Sequence, residues 1–118
     1  MKEEKIVMTA DPTTHTIPTK GGTIGIKLMN NSAKDKAMFR ITCTNNMDYR
    51  VLPAYGFVDP SNSTDISIVR FPGPPKDDKF VVIYAKAPED EPDARRAFPL
   101  YIIPDGQLAI TLSTTDCN

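Results

Sequence analysis

The chain has no tryptophan, one histidine and two cysteines among 118 residues. Each scarcity removes a class of chemistry. His15 with Cys43 and Cys117, far apart in sequence, does not supply the ligands of a tetrahedral zinc site. Cys43 lies inside an alternating run and Cys117 is the penultimate residue, so the pair does not read as a structural disulfide. There is no excess charge of one sign: 14 basic residues stand against 15 acidic ones, a formal net charge of -1. That leaves no electrostatic footprint for nucleic acid or an anionic membrane. Long apolar runs are absent too. The amino end, MKEEKIVMTADP, reads as neither a signal peptide nor a membrane span, so a cytoplasmic protein without membrane insertion is expected. Two glycosylation sequons, Asn30-Asn31-Ser32 and Asn62-Ser63-Thr64, therefore read as turn sequence.

Proline, by contrast, is abundant. Eleven prolines favour a loop-rich β fold, because proline breaks helix interiors. Alternation of apolar and polar residues gives the period of strands. Ile6-Val7-Met8 stops at Asp11-Pro12. Ile24, Ile26 and Leu28 share one side of a strand that ends at Asn30-Asn31. Phe39, Ile41 and Cys43 share a face opposite Arg40, Thr42 and Thr44. Tyr49–Leu52 is a short strand ended by Pro53, and Ile66 and Ile68 alternate with Asp65 and Ser67. The run KFVVIYAK (Lys79–Lys86) suits a central strand buried on both faces. Leu108, Ile110 and Leu112 point inward from the last strand. Seven short strands with turn-rich connections predict an all-β, immunoglobulin-like sandwich. The expectation is a single domain over 1–118, with its core from about 6 to 113.

Between the strands, Ala54–Ser63 reads as a loop, with Gly56 in a backbone conformation closed to other residues. His15, in PTTHTIPT, reads as an exposed loop residue. Its use as a general base has nothing else to support it. Gly21-Gly22 precedes a strand, so it lacks the helix N-terminus of a phosphate loop and is expected to be a turn. The acidic run Pro88–Asp93 lacks the alternate-position ligands of a calcium loop and reads as a solvated loop. Cys43 reads as a small core residue. Arg70–Lys79, RFPGPPKDDK, is stiff. It reads as a connection crossing from one sheet to the other, and also as a polyproline surface for a partner. The residues point to no enzyme, cofactor or metal. Arg40, Thr42 and Thr44, joined by Lys79, form a mildly basic polar face, either an ordinary wet surface or a site for an acidic peptide.

Three blocks carry a family resemblance: ADP near the amino end, NNMDYRVLPAYGFVDPSNSTDISIVR (45–70), and PGPPKDDKFVVIYAKAPED (72–90). In that order they resemble the major sperm protein domain, and more narrowly the small single-domain sperm-specific proteins of nematodes. The likeness spans about Val7 to Leu112. It implies a seven-stranded immunoglobulin-like sandwich, no enzymatic activity, and a structural or accessory role in the sperm motility cytoskeleton, in the pseudopod. The implied partners are other domains of the family, either copies of this chain or the filament-forming sperm protein. Related domains tethered to the endoplasmic reticulum bind short acidic peptides on one face, which gives the alternative, a peptide-binding adaptor. On that face Thr44 and Lys79 match a threonine and a lysine, and Arg40 keeps a basic residue. Thr42 falls where those relatives have a lysine and Val81 where they have a methionine, and losing a cation weakens an acidic-peptide site. The last residues, LSTTDCN, do not read as a membrane-anchoring tail.

Overall fold

The computed structural model describes residues 6–88 and 104–115, which form nine strands. In chain order they are β1 (Met8–Asp11), β2 (Thr14–Pro18), β3 (Gly22–Asn30), β4 (Ala37–Cys43), β5 (Tyr49–Leu52), β6 (Tyr55–Val58), β7 (Ser63–Arg70), β8 (Asp78–Lys86) and β9 (Gly106–Thr115). They make a four-stranded sheet, β1-β3-β7-β5, and a five-stranded sheet, β2-β9-β8-β4-β6. All pairings are antiparallel except β2 with β9, which is parallel.

The period-two pattern sets what lies between the sheets. The four-stranded sheet sends in Met8, Ile26, Leu28, Tyr49, Ile66 and Ile68; the five-stranded sheet answers with Ile17, Phe39, Ile41, Phe80, Val82, Ile110 and Leu112. Tyr49 and Phe80 meet across the gap edge to face, with ring centroids 5.5 Å apart and planes at 87°. Proline marks two of the places where the chain changes sheets. Pro12 separates β1 from β2 and Pro53 separates β5 from β6, and each follows a cis bond. Neither proline has an N–H to continue a ladder, and the β5–β7 ladder ends at Leu52↔Ser67.

Several expectations change. Nine segments replace seven because two stretches expected as loops are strands. The polar run holding His15 is β2, whose one buried side chain is Ile17, and it forms because the edge of β9 accepts it. His15 is exposed there, with Nδ1 2.7 Å from the Thr16 carbonyl. Within the expected loop Ala54–Ser63, Tyr55–Val58 pairs with β4 as β6. Gly56 does not have a positive φ; its need is for space, because the Phe39 ring lies against it. Gly21 is the described glycine with a positive φ, 106°, in a turn where its N–H donates to the Pro18 carbonyl at 3.0 Å. β8 is central: Asp78, Phe80, Val82 and Tyr84 are buried on its inner side, while on the other Ala85 is buried and Val81 and Ile83 are half-buried. Arg70–Lys79 does cross from one sheet to the other. Cys43 packs against the core, half-buried. Cys117 and most of the acidic run, 89–93, lie outside the described residues.

Candidate protein-contact face

Ladder register gathers the four sequence-derived residues on the outer face of the five-stranded sheet. Thr42 lies opposite Val81, and Arg40 opposite Ile83; the Thr44 N–H donates to the Lys79 carbonyl at 3.1 Å. Opposed residues and residues two apart share a face. The face therefore has a Thr44–Lys79–Thr111 row, a Thr42–Val81–Ala109 row and an Arg40–Ile83–Gln107 row. Thr42, Thr44 and Lys79 are exposed and Arg40 is half-buried. Thr44 and Lys79 are immediate neighbours, whereas Arg40 stands roughly 13 Å from Thr44 along the strand, at about 3.3 Å per residue.

Thr44 is not an idle hydroxyl. Its Oγ1 donates to Asp78 at 3.1 Å and accepts the Lys79 N–H at 3.0 Å. Asp78 is 4% exposed, so its carboxylate needs partners. It has the Thr44 hydroxyl, the Asn45 amide at 3.1 Å and the Lys76 ammonium at 3.7 Å. Asn45 is the junction. Its Nδ2 also donates to Asp48 at 2.9 Å, and its Oδ1 accepts the N–H groups of Met47 and Asp48, each at 3.2 Å. The polar end of the face thus sits on a carboxylate–amide–carboxylate chain, buried at Asp78 and Asn45 and half-buried at Asp48, that fixes the β4–β5 loop. Lys76 and Lys79 flank Asp77 and Asp78 there, so the local charge is mixed rather than basic. Burial pushes the nearby Cys43 thiol above its ordinary range, and the Asp78 carboxylate adds to that rise; the hydrogen bond with the Asn45 backbone and the Lys76 charge oppose it.

Sequence reasoning missed two features. The outer face is apolar at its other end, where Met38 and Ala85 are buried and Phe57 and Ile83 pack against them. Met38 has the same parity as Arg40, and that was its available signal. The second is Arg70, 2% exposed at the end of β7. Its Nη2 donates to the carbonyls of Gly73 at 3.1 Å and Pro74 at 2.9 Å, and its guanidinium lies 5.1 Å from the Tyr49 ring centre. It ties the proline-rich crossing to the core. An arginine closing an alternating strand gives no sequence sign of burial.

Among the described residues, no three His, Cys, Asp or Glu side chains converge to hold a metal ion. No helix there is long and apolar enough to cross a membrane. The two facing sheets, joined by proline-marked switches, define an immunoglobulin-like β-sandwich. The sequence matches the model of the MSP (Major sperm protein) domain over residues 7–100, and the chain belongs to that family. It is 47% identical to sperm-specific class P protein 16 of Caenorhabditis elegans over 108 residues, 92% of this chain and 97% of that protein. Sperm-specific class P protein 10 of the same nematode is 45% identical over the same shares. The solved structure of SSP-19, described as an MSP-domain protein like family member in C. elegans, superimposes with a TM-score of 0.84 at 45% identity, covering 91% of this chain and 98% of that one. WR4, a C. elegans MSP family member, gives 0.84 at 34% identity, covering 92% and 97%. The periplasmic chaperone SfaE shares the fold alone, at 10% identity and a TM-score of 0.73.

Proposed function

We propose that this chain is a non-enzymatic structural or accessory component of the major-sperm-protein cytoskeleton of nematode sperm, a single cytoplasmic domain acting through protein–protein contacts. The observation that carries this reading is the near full-length similarity to sperm-specific class P proteins, at 47% identity over 97% of one of them. The contact surface we assign is the outer face of β4 and β8, with Arg40, Thr42, Thr44 and Lys79. Its polar row is rigid, held by the Asn45–Asp78 network, and it adjoins an apolar end at Ile83. A rigid mixed surface suits another folded domain. The adaptor reading on the same face has less support, because the Thr44 hydroxyl is committed to Asp78 and two carboxylates neighbour the lysines.

The test is sedimentation velocity across a wide concentration range, alone and with the purified filament-forming sperm protein. Growth of this chain alone makes it a self-assembling subunit. A monomer that shifts only with the filament protein makes it an accessory factor. In either case Lys79→Glu is expected to weaken the association without changing the melting temperature. A monomer indifferent to the filament protein overturns the proposal.

A further inference from the structure

The proline-rich crossing from β7 to β8 closes one end of the sandwich, and the function proposed above makes no use of it. Within five residues, FPGPP, the side chains of Phe71, Pro72, Pro74 and Pro75 are all exposed. Among the described aromatic residues Phe71 alone is exposed, at 42%, whereas Phe39, Tyr49 and Phe80 are buried. One face of its ring lies 5.6 Å from the Arg50 guanidinium, which belongs to the neighbouring strand β5. A link between sheets needs stiffness but not a phenyl ring and three pyrrolidines left in water together.

The main chain under this ridge is tied to the body of the domain at several points. The Phe71 N–H donates to the Asp48 carbonyl at 2.7 Å and the Gly73 N–H to the Thr19 carbonyl at 3.1 Å. Arg70 holds the carbonyls of Gly73 and Pro74, and the Lys76 N–H donates to Thr114 Oγ1 at 2.9 Å. Gly73 faces inward: a Cβ there would stand 2.7 Å from Asp48 Oδ1, so a side chain would collide with the β4–β5 loop. The three prolines fix φ, and Gly73 and Pro74 each precede a proline, which keeps them extended. The chain bends at Pro72 and then runs without a further turn into β8. The ridge is thus ordered in advance, and docking on it costs little conformational entropy. Beyond the prolines, Lys76 lies 3.7 Å from Asp78, while Asp77 is exposed and makes no ion pair among the described residues.

From this we infer that residues 71–77 are a docking ridge for a partner domain whose groove is lined with aromatic rings, the kind of surface that reads polyproline. Pro74 and Pro75 lie along the groove, the Phe71 ring fills an apolar pocket beside it, and a cation on the rim meets Asp77. An aromatic residue directly before the prolines favours an EVH1-type groove. An SH3-type groove seeks a cation beside the prolines, and the adjacent one, Lys76, is engaged with Asp78. A second copy of this chain fits less well. Among its described residues Phe71 is the one exposed ring, and Lys36 lies over the half-buried Phe57 at 4.9 Å, so no aromatic groove is on offer. The inference does not rest on the cytoskeletal reading: it uses none of Arg40, Thr42, Thr44 and Lys79, and it can fail alone.

The probe is a purified EVH1 domain, with an SH3 domain run in parallel. Each is titrated into the isotopically labelled full chain while backbone amide shifts are followed. The EVH1 domain is expected to move the amides of Phe71, Gly73 and Asp77 and to bind about tenfold more tightly than the SH3 domain. Phe71→Ala should weaken that binding about tenfold, and Asp77→Lys, at an exposed position outside the anchoring bonds, about threefold. Lys79→Glu should leave it unchanged, which separates this ridge from the face assigned above. No shift with about 1 mM domain overturns the inference, as does full affinity in both Phe71→Ala and Asp77→Lys. Equal or tighter binding of the SH3 domain overturns it too. A concentration-dependent dimer of the chain alone that moves the same amides assigns the ridge to a second copy and likewise overturns it.

Discussion

Gly56 of β6 lies directly under the ring of Phe39 in β4: a Cβ placed on Gly56 would stand 2.6 Å from Phe39 Cζ and 2.8 Å from Cε2. Phe39 is itself 1% exposed and packed in the core, so the ring has little room to retreat. Gly56→Ala is expected to lower stability by roughly 2 kcal/mol through overpacking. Combining it with Phe39→Leu should give a double variant more stable than the sum of the single losses predicts, measured by urea denaturation in a double-mutant cycle. Strict additivity would show that the ring moves aside freely.

Asn45 offers a sharper test, because two carboxylates share its amide. Asn45→Ala removes the donor to Asp48 and Asp78 together and should lower stability by about 3 kcal/mol, since the buried Asp78 and the half-buried Asp48 each lose a hydrogen bond to a charged acceptor. Asn45→Asp places a third carboxyl within hydrogen-bond distance of the other two. Repulsion raises its folded-state pKa above the unfolded value, so stability is greatest when it is protonated and is lost as pH rises. The melting temperature of Asn45→Asp, relative to the unaltered chain, should climb as pH falls from neutrality toward about 4.5. A gap that stays constant with pH would place residue 45 outside the carboxylates' reach.

The sandwich was legible because Ile26/Leu28, Phe39/Ile41, Ile66/Ile68 and Ile110/Leu112 alternate, and alternation encodes one buried face. β2 was not legible. THTIP holds a single inward residue, and its pairing is set by the distant edge of β9, a long-range fact that no local window contains. β6 was hidden for a related reason: Tyr55, Gly56 and Phe57 are all half-buried, so the run has no alternation to read. Arg40, Thr42 and Thr44 could be grouped from parity alone, whereas Lys79, on β8, joins them through the β4–β8 register. That Thr44 is committed to Asp78 could not be read, because the bond joins residues 34 apart in sequence.

Arg70 carries a prediction about what a buried cation contributes. Its Nε and Nη1 are buried without a hydrogen bond, while Nη2 holds two carbonyls of the crossing loop. Desolvating the charge works against the two bonds and the contact with Tyr49. Arg70→Met keeps the stem packed and should change stability by no more than about 1.5 kcal/mol. Arg70→Ala opens a cavity and should lower it by roughly 3 kcal/mol. Both should speed hydrogen exchange of the Gly73 amide, which donates to the Thr19 carbonyl at 3.1 Å, because the crossing is no longer tied to the core. Unchanged exchange in Arg70→Met would assign the loop's order to its prolines instead.

Tyr49 contributes to the loss of stability at alkaline pH. Burial pushes its phenol above the ordinary value of 10.0, and Arg70 opposes that rise. The unfolded chain therefore releases this proton at lower pH than the folded one. The number of protons bound by the unfolded state falls first, so the slope of unfolding free energy against pH is negative. Stability linked to Tyr49 is intact below the ordinary value of 10.0, begins to fall there, and is lost as pH rises through the folded value. Tyr49→Phe keeps the ring that meets Phe80 edge to face and removes the titrating group. Its stability should decline less steeply above pH 10 than that of the unaltered chain, followed by far-ultraviolet circular dichroism in urea. Parallel declines would mean that the phenol ionises at the same pH in the folded and the unfolded chain.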